Sequence, residues 1–268
     1  GISLHLTGTY NVFMVVMVRY WFFAAFVLTV SAKQAGGLRN AARTKQPFTQ
    51  GFRGLLLAAE IMVMMFALVK IGLVESLAIF MANPLLVAAL SGPILGEIVG
   101  WRRWAAIGVG FVGVLIILQP GMGVFSPWSL FAVLSAAMFA VYALMTRYVA
   151  RQDSAATSFF WTGTVGAVFM TCVGVWFWEP MSAGDWVWMA ALCASGALGH
   201  FLLIKVYEIS EASAVQPFVY FHFFFAAIVG VVVYSEAIEP NVALGCAIVV
   251  AAGLFTLWRE RRAATRDG

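Results

Sequence analysis

The residues that could do chemistry in this chain are few, and nearly all of them lie inside apolar runs. Glu60 stands in AAEIMVMM, where a carboxyl group can hold and release a proton near neutrality or pair with a cation on another helix. His200 falls in SGALGHFLL, beside Gly196 and Gly199, which allow another backbone to approach closely. His222 interrupts the run FVYFHFFF at 218–225. At about 100° per residue, Ser213, Gln216, Tyr220 and Phe223 share one helical stripe, whereas His222 points roughly 160° from Tyr220. A second stripe carries Ser76, Phe80, Asn83 and Val87, with Pro84 beside it as an expected kink. Tyr142 follows Phe139 by three residues in a further apolar run. Polar groups inside hydrocarbon should face protein or a water-filled cavity, which makes Glu60, Ser76, Phe80, Asn83, Tyr142, His200, Gln216, Tyr220 and His222 candidate substrate-binding residues. Packing or interhelical hydrogen bonding is the competing reading for each. Arg19 lies close enough to the end of its run for the side chain to snorkel, and is read as an anchor.

Other chemistries find no foothold in the sequence. There is no GxxxxGK[ST] loop and no HExxH, and Cys172, Cys193 and Cys246 form no CxxC. No catalytic residue, metal site, cofactor or nucleic-acid partner is expected. Ser195–Gly196 followed by His200 leaves an intramembrane enzyme open as a minor alternative, and a channel is another.

These residues are held by a chain that is 63% hydrophobic and 10% charged, with a mean hydropathy of +0.93. Water cannot solvate such a surface, whereas a bilayer can. Runs long enough to cross, about 20 residues, lie near 11–31, 54–71, 74–95, 103–119, 128–148, 155–178, 186–206, 212–235 and 240–258. Fourteen of the 16 Lys and Arg fall after alternate runs: at 33–53, at Arg102 and Arg103, at Arg147 and Arg151, at Lys205, and in the tail from Arg259. Positive charge collects on cytoplasmic loops, so these connections are read as cytoplasmic. The first run must then begin outside. Residues 1–8, GISLHLTG, are too short to cross, so most of a first span is expected to be missing from a ten-span protein whose two termini are cytoplasmic. The runs are numbered spans 2 to 10 accordingly.

Two stretches repeat a pattern. ESLAIFMANPLLVAALSGPILGE (75–97) and ASAVQPFVYFHFFFAAIVGVVVYSE (212–236) each open near a serine, carry a polar residue seven positions on and a nearby proline, and end at a small residue plus Glu. A Gly-rich span follows each, with Gly108, Gly110 and Gly113, then Gly245 and Gly253. Five spans per half inverts the second copy, a layout that builds secondary transporters. Glu97 and Glu236, at span ends, are read as turn caps or partners of loop charges rather than substrate contacts, and GPILG (92–96) as helix packing.

The five-plus-five layout, the two -GE/-SE segments, Arg19 and the PFVY run at 217–220 together resemble the drug/metabolite transporter superfamily, EamA branch, with bacterial YddG-type amino acid exporters as the first comparison. The resemblance implies an all-α membrane protein. It would be a ten-helix bundle of two inverted five-helix repeats, residues 1–119 and 120–262, with a tail at 263–268. A central cavity would be lined by spans 1, 3, 4, 6, 8 and 9, with spans 5 and 10 outside it. The expected function is secondary-active, alternating-access transport of a small amphipathic metabolite in a bacterial inner membrane. An aromatic or apolar amino acid exporter is the first expectation, and an S-adenosylmethionine uptake carrier is the alternative. The oligomeric state stays open.

Overall fold

A computed structural model describes residues 1–33, 37–96, 100–119, 126–210 and 217–264, without the side chains of 217–221, 256–257 and 259–264. The described chain is all-α, as hydrocarbon demands: a helix satisfies its own backbone hydrogen bonds where no water can. The helices are α1 (Ile2–Thr9), α2 (Val12–Lys33), α3 (Gly37–Ala42), α4 (Pro47–Ile71), α5 (Leu73–Phe80), α6 (Asn83–Leu95), α7 (Trp101–Leu118), α8 (Ser129–Val149), α9 (Ala155–Gly174), α10 (Ala183–Ile209), α11 (Pro217–Tyr234) and α12 (Pro240–Ala264). Among the described residues seven segments are long and apolar enough to cross a membrane, and two shorter apolar helices, His222–Tyr234 and Pro240–Phe255, stand at the positions of the last two expected spans. The stretch read as the remnant of a first span forms the eight-residue α1.

Span 4 is not one helix. It breaks at Met81–Ala82, just before the kink expected at Pro84, and Pro84 sits in the first turn of α6, where its missing N–H costs nothing. Backbone bonds of the i→i−3 type bridge the break, Ala82 N–H to Ile79 O and Leu85 N–H to Ala82 O, both 3.0 Å. Gly96, at φ 77°, terminates α6 in the left-handed conformation, so the second glycine of GPILG is a helix stop.

The chain divides into two compact units, at positions inside α4 and α8. One unit comprises Ile2–Met65 and Met145–Ser210. Here α2 lies against α9 because glycines face its large side chains: a Cβ at Gly166 would sit 2.0 Å from the Tyr20 ring, and one at Gly174 2.7 Å from Met17 Cβ. A polar knot ties the start of α4 to α8 and α9. Arg53, read from sequence as a loop charge, has no exposed surface. Its Nε and Nη2 donate to Gln50 Oε1 (3.2 and 2.9 Å), its Nη1 donates to Thr146 Oγ1 (3.2 Å), and Nη2 also reaches Ser158 O. Gln50 Nε2 in turn donates to Asp153 Oδ2 at 2.9 Å. Near the start of α10, Asp185 accepts from Tyr10 Oη at 2.8 Å and meets His5 Nε2 at 3.0 Å, which fastens α1.

The other unit comprises Phe66–Leu144, Glu211–Gly268 and Gly1. Its apolar core includes Ile79, Leu85, Val114, Ile117 and Val249. Helices α7 and α12 run antiparallel and touch backbone to backbone: a Cβ on Gly113 would lie 2.8 Å from Gly245 O, and one on Gly245 2.6 Å from Gly113 O. Glu236 caps α5, as its place at a span end suggested, by accepting from Leu73 N–H (2.8 Å) and Val74 N–H (2.7 Å). Glu97 lies outside the described residues.

Candidate functional site

A small cavity opens inside the first of these units. Arg19, Tyr20 and Phe23 reach it from α2, Ile61 from α4, and Cys193, Gly196, Ala197 and His200 from α10. The α10 residues are spaced three, four and seven apart and so form one helical face. Gly196 matters by what it lacks: a Cβ there would stand 3.3 Å from Arg19 Nη2, so the guanidinium lies against the bare backbone of α10. The expected snorkelling of Arg19 does not occur. Its Nη1 is shielded from solvent and has no hydrogen-bond partner, and the same holds for Nδ1 of His200. The His200 ring lies nearly parallel to Phe23, 9° between planes and 6.2 Å between centroids. Phe23 continues onto Phe159 at 4.6 Å, and Phe159 onto Phe201 at 5.2 Å. Glu60, 4% exposed, lies on the same face of α4 as Arg53, two turns on, and within electrostatic reach of Arg19.

A buried cation with an unused donor is costly in an apolar surround, commonly ~1–3 kcal/mol for the missing hydrogen bond alone. Such an arrangement suits an anionic group that comes and goes. The free volume is about 20 Å³, room for about one water molecule. The helices must part before anything larger enters.

Of the residues singled out from sequence, His200 lines this cavity, and Glu60 lies behind it, within electrostatic reach of Arg19. Ser76, Phe80, Asn83 and Tyr142 cluster in the other unit. Phe80 packs on Phe139 (5.4 Å), which packs on the fully buried Tyr142 (5.8 Å). Asn83 is 1% exposed, and its Nδ2 donates to Ala136 O at 3.1 Å, an interhelical bond. Ser76 is fully buried, and its Oγ has no partner. His222 is exposed on α11. Gln216 and the side chain of Tyr220 lie outside the described residues. Sequence reading missed Arg19 and Gly196 as site residues. The available signal was spacing, since an arginine some eight residues inside a span needs a specific partner if it does not snorkel.

Residues 2–119 and 126–258 each match the model of the EamA-like transporter family. The chain belongs to that family. Among its relatives, the S-adenosylmethionine uptake transporter of Rickettsia prowazekii (strain Madrid E) is 27% identical over 97% of this chain and 87% of its own length. The Rickettsia felis protein of the same name is 28% identical over 98% and 89%. A riboflavin transporter of Vibrio cholerae is 29% identical over 89% and 81%. A crystal structure at 18% identity superposes with a TM-score of 0.70, covering 97% of this chain and 92% of the other, which shows a shared fold. This EamA-like protein is therefore a multi-pass membrane transporter.

Proposed function

We propose that this EamA-like carrier imports a small metabolite with a flat ring and an α-amino-acid headgroup, with S-adenosylmethionine as the first candidate, across a bacterial inner membrane without altering it. The observation that carries the reading is the pair of unpartnered polar atoms, Arg19 Nη1 and His200 Nδ1, in one cavity walled by Tyr20 and Phe23. A guanidinium matches a carboxylate in a planar, forked geometry. Glu60 supplies the opposite charge for an ammonium, and the rings supply a stacking surface. Import is favoured by the curated relatives named as uptake transporters, four of which span at least 97% of the chain. Opening and closing around this point would amount to alternating access.

Export of aromatic amino acids is the second reading. The same headgroup chemistry and the Phe23–Phe159–Phe201 aromatic cluster favour it. The two readings separate in proteoliposomes. Radiolabelled S-adenosylmethionine should accumulate and be released unaltered, with unlabelled S-adenosylmethionine competing better than phenylalanine or riboflavin. Counterflow of phenylalanine with no uptake of S-adenosylmethionine would overturn the first reading in favour of the second.

A further inference from the structure

A second, larger cavity lies between α7 and α12, far in composition from the first. It measures about 600 Å³, within the roughly 300–1,000 Å³ typical of ligand pockets. Its floor is Ala105, Ala106, Ala251 and Ala252, and its walls are Val109, Ile248 and Phe255. The small floor residues leave a furrow between two helices that touch backbone to backbone at Gly113 and Gly245. One end alone is polar. There Arg102 stands at the lining, its guanidinium 5.3 Å from the exposed Trp101 ring.

A furrow that is apolar along its length and basic at one mouth has the complement of an acyl chain joined to an anionic head. We propose that the α7–α12 furrow is a binding site for one anionic glycerophospholipid, its acyl chain on the alanine floor and its phosphate at Arg102. Tryptophan at the mouth fits this placement, since indole rings favour the headgroup level. A zwitterionic lipid offers the same chain but no net charge to the basic end. The site then selects by headgroup while it holds by chain.

The test is native mass spectrometry of the full chain from detergent, titrated with phosphatidylglycerol or with phosphatidylcholine of identical chains. The wild type should retain one phosphatidylglycerol with about a fivefold preference, the factor expected from one basic residue at the surface. Arg102→Ala should bring the two lipids level. Ala105→Leu with Ala251→Leu, which fills the floor, should lose the tightly held lipid of either kind. Retained solute uptake by both variants would show that they fold. Equal retention of both lipids by the wild type would overturn the proposal, as would unchanged retention in the filled variant. A dimer that the filled variant abolishes, with no change in lipid, would assign the furrow to a second copy of the chain instead.

Discussion

Removing the Glu236 carboxylate should loosen the start of α5 by a predictable amount. Helix α5 begins after Gly72, whose φ of 81° suits glycine and whose missing side chain can cap nothing. The first N–H groups of the helix therefore need an outside acceptor. Glu236, more than 160 residues later, gives one oxygen to Leu73 and the other to Val74. Hydrogen bonds to a charged acceptor contribute roughly 1.5–3 kcal/mol each. The group is half-buried, so water can replace part of the loss, and Glu236→Ala should cost about 2–3 kcal/mol in all. Glu236→Gln keeps one acceptor oxygen and should cost about half as much. Urea or SDS unfolding in mixed micelles, with far-ultraviolet circular dichroism as the readout, measures both. A Glu236→Ala variant as stable as wild type, or a Gln variant less stable than the Ala variant, would refute the capping account.

Other substitutions test the packing and the polar knot. Gly113→Ala places a methyl 2.8 Å from a backbone oxygen and should destabilise by roughly 1–3 kcal/mol, whereas Gly108→Ala, whose Cβ meets nothing within 4 Å, should be neutral or mildly stabilising; thermal melts in detergent compare them. Gly166→Ala drives Tyr20 from its seat and should lower both melting temperature and uptake. Arg53→Met strands Gln50 Oε1 in the interior and should cost roughly 1–3 kcal/mol, with Arg53→Lys recovering only part because an ammonium cannot span the fork. Unfolding midpoints of the two variants give that comparison.

Much of the fold was legible because hydrocarbon leaves so little choice. A span needs about 20 apolar residues, and each expected run contains a helix at nearly the expected place. The Glu236 cap was legible for a related reason, since a carboxylate ending a span needs donors. The interruption of span 4 was legible from Pro84, but its position was not, because the break falls earlier, at Met81–Ala82, where local i→i−3 bonds carry the chain across. Arg53 looked like a loop cation, since the residues that bury it come from α8, α9 and the turn between them. Arg19 was the consequential case: its distance from the span end allows snorkelling, and only Gly196, some 180 residues away, shows why it turns inward. His222 is the most conspicuous residue of its run, and it is exposed on α11.

The measurement closest to the central claim is substrate binding by Arg19 variants that still fold. Isothermal titration of the detergent-solubilised protein with S-adenosylmethionine should give an affinity at least tenfold weaker for Arg19→Gln, the loss of about 1.4 kcal/mol expected when one charge-assisted bond is removed. S-adenosylmethionine decarboxylated at the headgroup should bind wild type and variant alike. If Arg19→Gln binds the intact metabolite as tightly as wild type while retaining its melting temperature, the cavity between α2, α4 and α10 is not the substrate site.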